Sequence, residues 1–458
     1  MADDDGIFLR NAWYVAALNH ELIDGKKLAR TILERPIVIY RGASGKVVAL
    51  DDRCCHRAAP LSMGRVEGDD IRCMYHGMKF AADGKCIQIP GQDAIPAKLG
   101  VRSYPVVERY NMIFIWTGDP EKADPKLILD YPPLEDPKWR GLPGYMHYKA
   151  NWLLIVDNLS DFAHLAFVHT NTLGGSEEYA YKTKPVAIEK LEDGFRVERW
   201  HMGADAPPYH KKVIPNKADM VDRRNVGRMI VPGIFTLDTM FAPAGQGAEK
   251  GVQVPGTRQY RNAQFMTPET RSSTHFFWNY LHDFDTDNAN IALSLRHSLE
   301  EAFNEDKDFI EAQQKVLDAD PDYQLLAIGA VVIEDGAIDL SQQFECTLCQ
   351  PGHRAGASTL IHGIAPSAVA AGRDPAEALL AFMEFVDDSP LLAFHAPFDQ
   401  HMLERALRET LGYRLRHPFL DVAVLAPLLC PDAPPYKGLD EWLGHFRLQA
   451  SERHHASA

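Results

Sequence analysis

Four side chains that can bind metal lie in two short segments near the N-terminus. Cys54 and His56 form a Cys-x-His pair, and after sixteen intervening residues Cys73 and His76 form a Cys-x-x-His pair. Thiolate and imidazole are ligands of both structural zinc and iron–sulfur clusters. Two similar loops, each offering one Cys and one His, favour a binuclear cluster with thiolates on one iron and imidazoles on the other. A zinc site is the alternative, and the spacing makes Cys55 a bystander.

A second group of polar residues lies in the segment NWLLIVDNLSDFAHLAFVHT. Asp161, His164 and His169 follow one another at spacings of three and five. The apolar residues recur at helical spacing, which predicts one helix with a polar stripe that includes Asn158. Two imidazoles and one carboxylate form the facial triad of non-haem Fe(II) oxygenases, so another carboxylate must come from elsewhere. The alternative is a solvated helix surface without a metal.

Composition excludes several classes of protein. The 458 residues carry a formal net charge of −15, which argues against a broad nucleic-acid surface. No apolar stretch approaches the roughly 18 residues of a membrane helix, and the N-terminus lacks signal-peptide features, so a cytoplasmic location is expected. Seven unevenly spaced cysteines do not make a disulfide scaffold. Cys346 and Cys349, with His353 nearby, lack a partner pair for zinc and are expected to be ordinary buried cysteines.

Three domains are predicted from the pattern of elements. Residues 1–120 consist of short β-branched runs separated by turns, which predicts an all-β domain. Residues 121–322 begin with a Pro-rich connecting segment and continue with the helix above, several strands and a long amphipathic helix, which predicts an α+β domain. Residues 323–458 begin with a hairpin that turns on Asp335-Gly336 and then alternate between helices and strands, which predicts an α/β domain.

The segment DDRCCHRAAPLSMGRVEGDDIRCMYHGMKFAADGKC resembles the Rieske motif of ring-hydroxylating and O-demethylating oxygenases. The resemblance continues over residues 7–320 and is closest to the vanillate O-demethylase and toluenesulfonate methyl-monooxygenase group. It implies an all-β Rieske domain and a helix-grip catalytic domain. It also implies a [2Fe-2S] cluster on Cys54, His56, Cys73 and His76, and an Fe(II) ion on His164, His169 and Asp306, with Glu305 as the competitor of Asp306.

The same resemblance implies an electron path and a reaction. Asp161 would bridge His164 to His76 of a neighbouring subunit in a homotrimer, with Asn158 on the same side. The reaction would be O₂-dependent O-demethylation or methyl hydroxylation of a small aromatic acid, as in aromatic catabolism. The chain has no Gly-rich nucleotide fingerprint, so a separate NAD(P)H-dependent flavin and iron–sulfur reductase is expected. His275 and Asn279 are candidates to bind the acid group, against the alternative that they are satisfied core residues.

The C-terminal third resembles a different family. The segments LLAIGAVVIEDGAI, LLAFHAPFDQHMLERAL and RHHASA resemble DEDD-type 3′-5′ exonucleases, which have a ribonuclease H-like α/β fold. Asp399 matches the second motif of that family and His454 its general base. The first Asp-x-Glu motif has no counterpart in KVLDADPD, and the final Asp would fall one residue beyond Ala458.

Two-metal phosphoryl chemistry needs carboxylates that this segment lacks. The chain is therefore expected to be a fusion whose incomplete exonuclease-like segment is inactive, and whose sheet is open at its centre because the first strand is missing. The alternative function is a 3′-5′ exonuclease with an accessory iron–sulfur domain.

Overall fold

The computed structural model forms two compact units, Met1–Lys315 and Val316–Ala458. It describes residues 8–23, 25–176, 179, 181, 185–214, 220–319, 325–334, 337–350, 364–394, 396–430, 433 and 439–446. The division falls inside the long helix Ala289–Ala319, close to the end of the expected α+β domain. Within these residues, no helix is long and apolar enough to cross a membrane.

The N-terminal part of the first unit is all-β, as the short runs predict. Its strands are β1 Trp13–Leu18, β2 Lys27–Ile32, β3 Arg35–Arg41, β4 Val47–Asp51, β5 Arg65–Glu67, β6 Asp70–Arg72, β7 Lys79–Phe80, β8 Cys86–Gln88, β9 Val106–Arg109 and β10 Met112–Trp116. They form the sheets β1-β10-β9, β2-β3-β4 and β5-β6-β7-β8, with 3₁₀ turns at Asn19–Leu22 and Leu61–Met63. The loop after β4 carries Cys54, and the loop after β6 carries Cys73.

The rest of the first unit is built on one antiparallel sheet of seven strands in the order β11-β17-β16-β15-β14-β13-β12. The strands are β11 Arg140–Tyr148, β12 Pro185–Leu191, β13 Gly194–Asp205, β14 Met220–Ile230, β15 Ile234–Pro243, β16 Arg258–Thr270 and β17 Ser273–His282. Short helical turns occur at Pro208–Val213 and Ala248–Lys250. Phe276 and Trp278 contact Phe303 of the long helix on one face of the sheet. On the other face, Phe277 packs in one cluster with Trp116 of the N-terminal part. Both faces of the sheet are therefore covered.

The Pro-rich connecting segment lies between β10 and β11. It contains three one-turn 3₁₀ helices, Pro120–Lys122, Pro125–Leu127 and Pro132–Leu134. Strand β11 then begins at Arg140, within a Gly- and Pro-containing sequence. Pro143 is tolerated because β11 lies at the edge of the sheet, where a missing N–H leaves no ladder partner unsatisfied.

The prediction of a single continuous helix around His164 is wrong. The chain forms a helix over Trp152–Ser160, a 3₁₀ turn over Phe162–His164 and a short helix over Leu165–Val168. Asp161 separates them, because its carboxylate accepts the N–H of Ala163 at 2.8 Å and so caps a new turn. His164 and His169 both follow this break and lie at the two ends of the short helix Leu165–Val168, as its N-cap and C-cap residues.

The second unit contains two separate pairs of strands in its described part. Strands β18 Ala327–Glu334 and β19 Ala337–Thr347 are antiparallel, and β20 Leu391–Ala393 and β21 Phe419–Asp421 are parallel. Its helices are Pro366–Ala370, Pro375–Val386, Ala396–Leu411, Val422–Leu429 and Leu439–Phe446. The two pairs do not join within the described residues. Asp335, Gly336, His353 and His454 lie outside the described residues.

Candidate functional site

The two loops that carry Cys54 and Cys73 have the same backbone hydrogen bonds. The pairs are Cys54 N–H to Ala59 O (2.8 Å), Ala58 N–H to Cys54 O (2.9 Å), Cys73 N–H to Met78 O (2.8 Å) and Gly77 N–H to Cys73 O (2.9 Å). Both turns need a left-handed residue, Ala58 at φ 55° and Gly77 at φ 79°. A side chain at Gly77 would also place its Cβ 2.8 Å from Pro90 Cγ. The sequence thus builds one loop twice.

The side chains of these loops are arranged as a binuclear cluster requires. Cys54 and Cys73 are buried, whereas His56 and His76 are exposed and their ring centroids lie 4.6 Å apart. Burial raises the pKa of the Cys54 thiol to about 11, so a metal must displace its proton. Among the described residues, no three of these four ligand atoms lie within 4.8 Å of one another. That spread is too wide for one tetrahedral zinc ion, and Cys55 is exposed outside the set.

The second site brings together His164, His169 and Asp306, whose ligand atoms all lie within 4.8 Å of one another. Asp306 comes from the long helix, 137 residues after His169 in the chain. Its Oδ1 lies 2.9 Å from His169 Nε2 and 3.5 Å from His164 Nε2. Asn158 donates an amide N–H to the same oxygen at 3.2 Å. His169 and Asp306 are buried, and His164 is partly exposed.

Hydrogen bonds to His169 determine what its inner nitrogen can bind. Nδ1 donates to the Glu305 carboxylate at 2.8 Å, so Nε2 is free to present a lone pair. Nε2 is buried and forms no well-aligned hydrogen bond, although it lies 2.9 Å from Asp306 Oδ1. Burial disfavours the charged ring, but the carboxylates of Asp306 and Glu305 outweigh it and raise the pKa of His169. The space between His169 Nε2 and Asp306 Oδ1 therefore favours a positive charge, either a proton or a metal cation.

Glu305 has a different position from its neighbour Asp306. Its carboxylate accepts hydrogen bonds from His169 Nδ1 and, at 2.6 Å, from Thr172 Oγ1. It lies on the far side of the imidazole, where it fixes the orientation of the ring. This is the usual place of an outer carboxylate in a metal–histidine site.

Asp161 contacts His164 through its main chain. The backbone carbonyl of Asp161 accepts from His164 Nδ1, while the Asp161 carboxylate accepts from Ala163 N–H and is exposed. Burial lowers the pKa of His164, which favours the neutral ring that a metal needs. Within one chain, therefore, the expected carboxylate contact to His164 is replaced by a carbonyl contact.

The structure does not bring His275 and Asn279 to the metal-binding side of the sheet, and this corrects their proposed role. His275 Nε2 lies 3.0 Å from the carbonyl of Thr31 in β2, and Nδ1 lies 2.9 Å from the Tyr145 hydroxyl. Burial lowers the pKa of His275 to about 4. Asn279 is four residues along the same strand and faces the same way. The helix that carries Asp306 packs on the alternate residues of β17, on the other face.

The face of the sheet that packs against the long helix, called the inner face, carries polar residues that the sequence analysis did not single out. They are Arg223, Asn225, Asn262, Gln264 and Trp278, all buried. Within the described residues, Asn262 Oδ1, Gln264 Oε1 and Trp278 Nε1 have no hydrogen-bond partner. The signal in the sequence was polar residues at every second position of an apolar strand, as in Tyr260-Arg-Asn262-Ala-Gln264.

The second unit places two carboxylates near each other. Asp399 lies in the first turn of the helix Ala396–Leu411, and Asp421 caps the helix Val422–Leu429 by accepting Ala423 N–H at 2.9 Å. Desolvation, together with the charge of Asp421, raises the pKa of Asp399. Asp421 was not singled out from the sequence. Its capping position, Leu-Asp before an apolar helix, was a visible signal.

Family models match three parts of the chain. Residues 12–105 match the Rieske [2Fe-2S] domain, and residues 148–334 match the vanillate O-demethylase oxygenase C-terminal domain. Residues 315–458 match a model described as exonuclease. The last two matches overlap within residues 315–334, at the junction between the two units.

Individual proteins are similar to the first part of the chain. The toluene-4-sulfonate monooxygenase system iron-sulfur subunit of Comamonas testosteroni is 43% identical over 71% of this chain and 93% of its own length. A vanillate O-demethylase oxygenase subunit of a Pseudomonas species is 34% identical over 70% of this chain and 90% of its own. Crystal structures of dicamba monooxygenase, one with 3,6-dichlorosalicylic acid and one with non-heme iron and dicamba, give TM-scores of 0.63 and 0.55 at 34% and 33% identity, each covering 68% of this chain and 89% of theirs.

Proposed function

This chain belongs to the Rieske-type oxygenase components that include toluene-4-sulfonate monooxygenase and vanillate O-demethylase, and on that premise we propose that it oxidises a methyl or methoxy carbon of a small aromatic acid. The relatives named above act on toluene-4-sulfonate and vanillate. A methoxy carbon oxidised in this way would leave as formaldehyde. The observation that carries the proposal is the cluster of His164, His169 and Asp306, of which His169 and Asp306 are buried, in the same unit as the Cys54–His76 loops.

The proposed ligands fit the two metal groups that the family uses. Cys54 and Cys73 would hold the inner iron of a [2Fe-2S] cluster, and His56 and His76 the outer iron. His164, His169 and Asp306 would hold a mononuclear Fe(II) ion. When bound, cluster and ion together supply two electrons to O₂ at a site that has open coordination positions.

The surrounding side chains would prepare the site before substrate arrives. Glu305 keeps the proton on His169 Nδ1, and the Asp161 carbonyl does the same for His164, so both Nε2 lone pairs face inward. Asn158 donates to Asp306 Oδ1 and orients the carboxylate.

We further propose an electron donor, an oligomeric state and domain boundaries for the chain. A separate NAD(P)H-dependent flavin and iron–sulfur reductase would supply the electrons. In a homotrimer, the exposed Asp161 carboxylate would meet His76 of the next subunit. The domains would be residues 1–120, 121–322 and 323–458. The last would be an inactive exonuclease-like segment, so we do not favour 3′-5′ exonuclease activity as a second function.

The deciding experiment is metal and sulfide analysis of the purified chain, followed by EPR after dithionite reduction. We expect about three irons and two acid-labile sulfides per chain and a Rieske-type signal. Reduced protein exposed to O₂ and toluene-4-sulfonate or vanillate should then yield oxidised product. Zinc without sulfide would refute the proposal, as would iron-loaded protein that oxidises neither methyl nor methoxy aromatic compounds.

A further inference from the structure

Arg223 is a buried arginine on the inner face of the seven-stranded sheet, and its charge has no carboxylate partner among the described residues. It is 6% exposed. On the outer face of the same sheet the arginines do have partners: Arg224 pairs with Glu198, Arg228 with Asp193, and Arg261 with Asp238. A buried charge without a counter-ion is costly, and proteins keep one where a ligand completes the pair.

The hydrogen bonds of Arg223 hold one side of the guanidinium and leave the other side free. Nη1 donates to the carbonyl of Leu173 at 3.1 Å. Nε donates at 3.2 Å to the Asn225 side-chain oxygen, in the amide orientation that also lets Asn225 donate to Thr239. A guanidinium has five N–H groups, and in the described part of the chain those on Nη2 have no acceptor. Planar, paired donors of this kind match the oxygens of a carboxylate or sulfonate.

The position of Arg223 connects it to the proposed iron site. Leu173, which accepts from Arg223, itself donates its N–H to the carbonyl of His169 at 3.2 Å. One short loop therefore links the guanidinium to a metal ligand. The rings of Tyr179 and Phe241 lie 5.7 and 5.6 Å from the guanidinium carbon and make an aromatic wall beside it. The Tyr179 hydroxyl is buried and has no partner within the described residues.

We infer that Arg223 binds the anionic group of the aromatic substrate and thereby directs the opposite, methyl-bearing end of the ring towards His164, His169 and Asp306. The inference rests on the proposed function and replaces His275 and Asn279 as the residues that recognise the acid. Asn225 is a positioning residue, because it holds the Nε edge while the Nη2 edge faces the ligand. The unpartnered Asn262 and Gln264 oxygens on the same face independently indicate that this space accepts polar atoms of a ligand or its water.

Binding of matched acid and amide pairs to the full-length, iron-loaded protein tests the inference without turnover. The probes are toluene-4-sulfonate with toluene-4-sulfonamide, and 4-methylbenzoate with 4-methylbenzamide, measured by anaerobic calorimetry. Wild type should bind at least one acid about tenfold or more tighter than its amide, and the two pairs distinguish sulfonate from carboxylate recognition. Arg223→Gln should weaken acid binding by about 10- to 100-fold, as loss of charge-assisted hydrogen bonds does, and leave amide binding within about twofold.

Two further variants separate recognition from folding. Arg224→Gln, one residue along on the outer face, should keep the wild-type preference for acid over amide. Arg223→Lys should retain part of it, since the charge remains but the fork is lost. Thermal unfolding of each variant reports whether the sheet that carries Arg223 is folded.

The outcomes for substrate recognition and for oxygenase activity are distinguishable. Arg223→Gln protein with an unchanged acid preference, or wild type that binds acid no better than amide, would overturn the inference. Iron-loaded wild type that oxidises the neutral amides but ignores both acids would overturn it too, and would leave the oxygenase proposal standing. A chain that contains no iron would instead refute the proposed function.

Discussion

At His169, the hydrogen bond made by one ring nitrogen decides what the other nitrogen can do. Glu305 accepts from Nδ1, and Nε2 faces the Asp306 carboxylate across 2.9 Å. Adjacent acids on one helix thus have different tasks, because successive helical residues point about 100° apart. Glu305 approaches the outer nitrogen and Asp306 the inner one. The same logic applies at His164, where a backbone carbonyl replaces the carboxylate.

Replacing Glu305 should weaken iron binding without removing a ligand. In Glu305→Gln the charge that fixes the His169 ring and its proton is lost, and such outer groups are worth about 10- to 100-fold in metal affinity. Iron retention can be measured by competition with a chelator. Asp308→Asn, an exposed acid on the same helix, is the control and should hold iron normally. Equal retention in Glu305→Gln and wild type would remove this role.

Replacing Asp161 should separate metal loading from turnover. The carboxylate is exposed and caps Ala163, while the carbonyl that orients His164 is main chain and survives substitution. Asp161→Asn keeps a good capping side chain but loses the charge, so iron and sulfide content should stay normal. Product formation should fall by more than about tenfold, because the proposed link between the two metal sites is broken. The exposed Asp157→Asn serves as control, and wild-type turnover in Asp161→Asn would exclude the bridging role.

At the scale of elements, local sequence patterns predicted the loops and helices whose structure depends on neighbouring residues in the chain. Spacing alone located the two Cys–His loops, and the 3.6-residue period located the long helix Ala289–Ala319. Periodicity failed around Asp161, because a capping side chain stopped a helix that the apolar residues alone would continue.

The residues on the inner face of the sheet could not be predicted from the sequence for a different reason. His275 and Arg223 both lie in strands, and their faces depend on which of the alternate positions packs against the long helix. That register is set by tertiary packing of Phe276 and Trp278 on Phe303, and no local signal gives it. A one-residue change of register would exchange the two faces.

Gly144 positions Trp278 on that inner face, and its substitution should disturb it. The two residues are paired across β11 and β17, and a Cβ at Gly144 would lie 2.2 Å from indole atoms Cε2 and Cζ2. Gly144→Ala should cost about 1–3 kcal/mol of unfolding free energy, as overpacking does. Thermal unfolding measures the change. Adding Trp278→Phe, which deletes the clashing atoms, should recover part of the loss; a double variant no more stable than Gly144→Ala would contradict this explanation.

At the scale of the whole molecule, the chain joins a unit that contains every proposed iron ligand to a unit that matches a model described as exonuclease. The first unit comprises residues up to Lys315, and the match to the exonuclease model begins at the same place. The strands described in the second unit remain as two pairs, and two of its carboxylates, Asp399 and Asp421, are neighbours. Oxygenase chemistry is therefore assigned to the first unit alone.

The full-length chain should have no exonuclease activity. Two-metal phosphoryl transfer needs a set of carboxylates that bridges both cations, and Asp399 with Asp421 offers too few ligands to hold two. The net charge of −15 also disfavours contact with a polyanionic strand. A 5′-labelled single-stranded DNA incubated with the chain and Mn²⁺ should stay intact, and Asp399→Ala protein should behave identically. Metal-dependent shortening of the strand by the wild type, abolished in Asp399→Ala, would instead establish a second active site in this chain.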